Sequence, residues 1–379
     1  MTALKMTQTE ERYNMELSCT KKLLECIGLK PEKASVEIDP LFEWTANLVT
    51  INRRKTIVVV HAVSRCAFVL YGVTAKYISK LPELILDGIR RLLESEYVRP
   101  EIIEQYLNDL GREVSFRANS SRKTVAACNK VCERLDWFSE LLQTGELYQK
   151  GIQPALNDDV LGGEYLLAYE ALIGKLQERY GDDIRSCRAL ELEVSLELHT
   201  PCKRRIIVPE NLNFYQFHNV LQACFNWNDC HLHQFVTEVD AVGYPTKIIQ
   251  PQWDEIEEIP DARVQDSQEV TLKEVFANKT KIIYEYDFGD GWIHTITLCR
   301  EIDDCRTPYP HCIMAIGDAP MEDCGGPDGF AYIMKALNDP THPEHKEITE
   351  WVRSTWWQPL DVQRITAFIK SAHRRSLPS

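Results

Sequence analysis

The chain has no Cys-x-x-Cys pair, although 13 of its 379 residues are cysteine. Close pairs are what structural zinc sites and small disulfide frameworks are built from, so their absence argues for free thiols in a reducing compartment. Cys299, Cys305, Cys312 and Cys324 come nearest to a cluster, but their spacing is too irregular for a zinc-ligand set. An excess of positive charge is missing too: 43 Lys and Arg stand against 57 Asp and Glu, a formal net charge of −14. Bulk attraction to phosphate backbones is therefore absent, which argues against general nucleic-acid binding and leaves room only for a local basic patch. No apolar run approaches the roughly 18 residues that suggest a membrane span. The first residues lack the basic-then-apolar order of a secretion signal. A cytoplasmic protein without a membrane partner is expected.

What is present is enough apolar sequence, 44% of residues, for two ordinary cores. An α+β fold in two domains is expected, each a small mixed or antiparallel sheet with packed helices. Residues 1–145 form the first domain in this reading. A helix-like piece at Cys19 to Ile27 comes first, stopped by Gly28. Apolar and β-branched runs at Leu48 to Ile51, Thr56 to His61 and Ser64 to Val73 suggest a strand meander. Helical spacing then marks Leu81 to Leu93, Pro100 to Leu110 and Ser121 to Leu142. A short strand is expected at Val114 to Arg117. Arg53, Arg54, Lys55, Arg117, Arg122 and Lys123 read as a solvated turn and a helix start rather than a phosphate-contacting edge. Residues 146–187 are Gly- and Asp-rich and are expected to be a linker with a bridging helix near Glu164 to Arg179.

Residues 188–379 are expected to form the second domain. Leu192, Val194, Leu196 and Leu198 alternate with polar residues, as on a strand with one buried face. Arg204 to Val208 gives another strand. Asn213 with Gln216 three residues on predicts a capped helix that buries Phe214, Phe217, Leu221 and Phe225. Trp351, Trp356 and Trp357 read as core sealing, before a helix from Asp361 to Ala372 and a basic end, His373 to Arg375.

The richest stretch is Tyr284 to His294. Two alternating runs flank Asp287-Phe288-Gly289-Asp290-Gly291, the pattern of a β-hairpin. His231 and His233 share a face if they lie on one strand. With His218 and His294 they could converge on a divalent metal. Asp290, Glu322 and Asp323 are the candidate acid/base carboxylates. Asp287, Trp292, Trp227, Gly325 and Gly326 are candidate binding residues, the two glycines offering amides to an anion. Against this stands the commoner alternative, in which buried imidazoles are satisfied by protein partners and acidic loop residues cap backbone amides.

Two resemblances add to these readings. Cys19-Thr20-Lys21-Lys22-Leu23-Leu24, Trp44-Thr45-Ala46-Asn47-Leu48 and Asn52-Arg53-Arg54-Lys55 resemble a bacterial domain family of unknown function. His218 in its helix, Trp227-x3-His231-Leu232-His233, Tyr284-x-Tyr286-Asp287-Phe288-Gly289-Asp290-Gly291-Trp292-x-His294 and Glu322-Asp323-x-Gly325-Gly326 resemble the family named after the third open reading frame of an agrobacterial Ri plasmid. One departure is Cys202-Lys203-Arg204, where that family usually shows a Trp before the Arg. The resemblance implies an α+β fold, carriage on plasmids or mobile elements, and no assigned activity. The expected function is a binding or accessory module with a protein or nucleic-acid partner. The alternative is a metal-dependent hydrolase, acting on phosphodiesters, that uses the His and Asp cluster.

Overall fold

A computed structural model of the chain describes residues 14–31, 39–119, 121–158, 160–161, 166–252, 262–355, 357–372 and 374. Trp356, His373 and Arg375 lie outside the described residues. The chain divides into two compact units, Met1–Arg185 and Ser186–Ser379, each mixing helices with a sheet. The fold is α+β.

In the first unit the strands are β1 (Met15–Cys19), β2 (Trp44–Ile51), β3 (Arg54–His61), β4 (Ala67–Tyr71) and β5 (Val114–Ala118). Their order is β4-β3-β2-β1-β5: β2, β3 and β4 form the antiparallel meander, and β1 runs parallel to both β2 and β5. The piece expected as one helix from Cys19 is therefore split. Met15, Leu17 and Cys19 are buried in alternation, the period of a strand, and only Lys21–Cys26 (α1) is helical. The other helices are α2 (Ala75–Ile78), α3 (Leu81–Ser95), α4 (Pro100–Leu110), α5 (Arg122–Trp137) and α6 (Gln153–Asn157). A two-residue strand pair follows, β6 (Val160–Leu161) and β7 (Leu166–Leu167), and then α7 (Ala168–Tyr180).

Both faces of this sheet are covered. Ile57 and Val59 face a core with α3, α4 and α7, while Val58 and Val60 face α5 and α6. Burial on both sides explains why β3 is a continuous β-branched run rather than an alternating one. The helix expected to bridge the domains, α7, inserts Tyr169, Leu172, Ile173 and Leu176 into the first unit's core. Arg53 sits with left-handed φ in the β2–β3 turn, and Arg117 is within ion-pair distance of Glu16.

Among the described residues the second unit is built on eight strands: β8 (Cys187–Leu196), β9 (Cys202–Pro209), β10 (His233–Val239), β11 (Pro245–Gln250), β12 (Arg263–Asp266), β13 (Lys281–Tyr286), β14 (Trp292–Cys305) and β15 (His311–Ile316). Their order is β12-β11-β10-β13-β14-β8-β9-β15, antiparallel except for β11 beside β12. Helices α8 (Phe214–Phe225), α9 (Leu272–Phe276), α10 (Gly326–Asn338), α11 (His345–Ser354) and α12 (Val362–Ala372) complete it. One sheet face carries the core, where Leu192, Val194, Tyr284 and Ile296 meet Phe217, Leu221 and Phe225 of α8. Across β8, β9 and β14 the alternating residues form ion pairs instead: Lys203 with Glu193, and Arg205 and Arg300 with Glu191. The capping box on α8 is present, with Asn213 accepting from the Gln216 amide at 2.8 Å and Gln216 accepting in return at 3.1 Å. Arg204 is buried without a carboxylate partner among the described residues. Its guanidinium donates to the carbonyls of Cys224, Lys203, Ile316 and Gly317 and lies over the Phe225 ring.

Candidate functional site

Three loops meet at one end of the second sheet: 226–232 after α8, the β13–β14 turn at 287–291, and 320–325 before α10. Each contains an aspartate with left-handed φ, namely Asp229, Asp287 and Asp323. Asp and Asn tolerate that region better than most residues, which is why sharp turns select them.

Asp287 organises the hairpin turn. Its Oδ1 accepts from the Gly289 and Asp290 amides at 3.0 and 3.3 Å, and its own amide donates to Leu232 O at 2.9 Å. The second oxygen, Oδ2, is left to face His231 Nε2 at 3.6 Å. Asp323 Oδ1 approaches the same nitrogen at 3.2 Å. His231 Nε2 is shielded from solvent yet makes no hydrogen bond among the described residues. One imidazole nitrogen and two carboxylate oxygens from three loops thus lie within 4.8 Å of one another.

Glu322 does different work. Its Oε1 accepts from the Tyr286 hydroxyl at 2.5 Å, the Asn228 amide at 3.1 Å and Cys230 Sγ at 3.3 Å, and its Oε2 accepts from Asn228 Nδ2 at 2.6 Å. Burial and then the Glu322 carboxylate raise the Tyr286 hydroxyl and Cys230 thiol pKa values. Neither group is activated as a nucleophile. Glu322 is a tie between loops, not a free acid or base. Asp290 is a tie as well, its Oδ2 accepting from the Gly325 amide at 3.1 Å. That contact occupies the Gly325 amide, which is therefore not offered to an anion as expected.

Beneath the loops, His218, Asp229, Gln222 and Tyr284 form a closed ring of hydrogen bonds. His218 Nε2–H donates to Asp229 Oδ1 at 2.7 Å, and Nδ1 accepts from the Tyr284 hydroxyl at 2.8 Å. Gln222 donates to that hydroxyl at 3.1 Å and accepts from the Asp229 amide at 2.9 Å. Donors and acceptors match around the whole ring when His218 is neutral. Burial lowers its pKa, against the raising effect of Asp229. His233 stacks on His218 at 3.5 Å with planes 7° apart. Burial, then His218, push the His233 pKa well below the usual value.

The four histidines therefore do not share a site. An ion must lie in the ring plane of each imidazole that binds it, and two parallel planes 3.5 Å apart offer no common point. His218 has both nitrogens engaged. His294 is buried on β14, its Nδ1–H directed at Trp292 O (3.1 Å) and Tyr284 O (3.3 Å), and burial holds it down to about 3. It enters no ligand cluster among the described residues. His231 lies in a bend before β10 rather than on the strand, so it does not share a strand face with His233. Trp227 and Trp292 are buried walls, Trp227 stacking on Tyr286 and donating from Nε1 to Pro320 O at 3.0 Å. None of Cys299, Cys305, Cys312 and Cys324 joins a metal-type cluster among the described residues. Asp229, Cys230, Gln222 and Tyr286 were missed as site residues. The signal for two of them was at hand, since Asp229-Cys230 immediately precedes His231.

The chain belongs to the plasmid pRiA4b ORF-3-like protein family, which it matches over residues 188–365. Residues 16–170 match a domain of unknown function (DUF6933). The chain is 34% identical over 171 residues to "Uncharacterized protein y4hQ" of Sinorhizobium fredii, covering 44% of this chain and 81% of that protein. The crystal structure of the protein of unknown function MM3350 from Methanosarcina mazei Go1 is similar at 27% identity and a TM-score of 0.40, over 46% of this chain and 96% of that one.

Proposed function

We propose that residues 186–379 form a divalent-cation-binding module, with His231, Asp287 and Asp323 as the protein ligands. The observation that carries this reading is the state of His231 Nε2. It is shut off from water and lacks a hydrogen bond among the described residues, yet it stands 3.2 and 3.6 Å from carboxylate oxygens of two other loops. Ligands about 2.1 Å from one ion stand roughly 3.0–3.4 Å apart in octahedral or tetrahedral geometry; the 3.2 Å separation to Asp323 falls within that range, and the 3.6 Å separation to Asp287 needs a small closure around the ion. The imidazole favours Zn2+ over Ca2+ or Mg2+, and the two carboxylates also suit Mn2+. Cys230 and Glu322 stand beside the site and brace it.

The module serves as a binding or accessory part of a plasmid- or mobile-element-linked protein in a reducing compartment. The family description and the 13 cysteines with no Cys-x-x-Cys pair support that placing. The test is calorimetric titration of chelator-treated full-length protein with Zn2+ and with Mn2+. The expected result is one ion per chain, lost in His231→Ala and retained in His342→Ala. Equal binding by the two variants would refute the assignment.

A second reading is metal-assisted hydrolysis. It is favoured by the exposure of Asp323, 73% at its side chain, which leaves coordination positions open to water. Ion-dependent cleavage of an activated phosphodiester, lost in His231→Ala, would support it. A metal-loaded protein that cleaves none would leave only the binding role.

A further inference from the structure

Cys187 and Cys305 stand apart from the three-loop site and are placed differently from the other thiols. They are register partners across the antiparallel strands β8 and β14. Such partners have Cα atoms about 4.5–5.5 Å apart. A disulfide spans Cα separations of about 4.4–6.8 Å, so cross-strand register of this kind is compatible with one. A register shift between Ile302 and Cys305 precedes the pair. Both cysteines then fall in one small apolar cluster with Ala189, Ile207 and Ile302, outside the main core. The Cys187 thiol donates to the Cys305 sulfur and lowers the Cys305 pKa against the opposing effect of burial. A thiolate at ordinary pH is the species that exchanges with a disulfide. Cys187 is half-buried, so small molecules reach the pair.

Cys128 and Cys132 make an instructive contrast. They also hydrogen-bond, but four residues apart on α5. Helical neighbours keep Cβ atoms about 5–6 Å apart, beyond the roughly 3.5–4.5 Å that a disulfide requires. Proximity of sulfur alone is not enough; the strand register is what qualifies Cys187 and Cys305.

We propose that Cys187 and Cys305 form a reversible dithiol–disulfide site, oxidised by a low-molecular-weight disulfide of the glutathione type. One protein thiolate attacks a sulfur of glutathione disulfide and expels one glutathione thiolate, leaving a mixed disulfide. The second protein thiol, after losing its proton, attacks the protein sulfur of that mixed disulfide and expels the other glutathione. The protein is oxidised by two electrons, and glutathione disulfide is reduced to two thiols. The bond closes β8 onto the far end of β14 and ties together residues 118 positions apart in the chain (305 − 187).

The test uses native full-length protein equilibrated with glutathione disulfide, then alkylated, digested and mapped by mass spectrometry. The expected result is a Cys187–Cys305 cross-linked peptide, a mass decrease of about 2 Da for the two hydrogens lost, and a higher Tm that dithiothreitol reverses. Cys187→Ser is expected to stop at a stable glutathione adduct on Cys305. Three results overturn the proposal: a different cysteine pairing, a wild-type protein that accumulates only glutathione adducts, or a full complement of alkylatable thiols after oxidation. The peptide map of the wild-type chain decides among them even where a serine variant folds poorly.

Discussion

In the proposed cation site Asp287 and His231 take unequal parts. Asp287 uses one oxygen to shape its turn and the other to face His231. Asp287→Asn keeps an acceptor for the Gly289 and Asp290 amides while removing the charge. It is expected to weaken metal binding by at least about 10- to 100-fold, a loss on the scale seen for metal-site substitutions. Its unfolding midpoint is expected to move little. Asp287→Ala removes the turn acceptor as well and is expected to cost a further 1–2 kcal/mol or so in urea unfolding. Arg204 shows the opposite case, a buried residue with a structural role only. Arg204→Ala strands four carbonyl acceptors and opens a cavity against Phe225. A loss of about 3 kcal/mol or more is expected, with metal stoichiometry unchanged in the folded fraction.

At the scale of elements, the site depends on how closely the β13–β14 turn and the 320–325 loop approach. Gly326 has φ +71°, and a Cβ there would lie 2.7 Å from Asp290 O. Gly291 has a similar φ of +69° but open space around it. Gly291→Ala therefore bears only the backbone strain, roughly 1 kcal/mol. Gly326→Ala bears that strain and pushes the two loops apart, so it is expected to lose metal affinity as well as stability. Calorimetry on the two variants checks the difference.

These elements also show what was legible in the sequence. The hairpin could be read from alternation around a Gly-rich turn, and the α8 cap from Asn213 and Gln216. Strand β8 could be read from its alternating leucines and glutamates. All of these are local patterns. The placing of β1 between β2 and β5 is a long-range pairing with no local signature. The convergence of four histidines failed for a related reason. Two-residue spacing puts His231 and His233 on one face only if the strand has already begun, and the left-handed turn at Asp229 delays its start to His233. His218 and His294 were drawn instead into the core, where hydrogen bonds engage both nitrogens of His218 and Nδ1 of His294.

For the whole molecule, each unit carries a buried neutral imidazole whose titration opposes folding in acid. In the first, His61 donates from Nε2 to Leu41 O, accepts at Nδ1 from the Ser64 amide, and is held down to about 4 by burial. In the second, His294 is held down to about 3. Above pH 6.5 neither the folded nor the unfolded chain binds these protons, so stability is unaffected. Below it the unfolded chain binds protons that the folded chain excludes. Each group then removes about 1.4 kcal/mol per pH unit until its folded pKa is reached. Urea unfolding at pH 7.5 and pH 5 is expected to show both units weakened at the lower pH. The second unit should lose more, because His218 and His233 are also held below the usual value. The central claim is that His231, Asp287 and Asp323 together hold a divalent ion, and X-ray absorption of the zinc-loaded full-length protein tests it most directly. The account predicts a first shell of nitrogen and oxygen alone, with an imidazole signature that disappears in His231→Ala. A sulfur scatterer near 2.3 Å, the zinc–thiolate distance, or a shell unchanged by that substitution would contradict it.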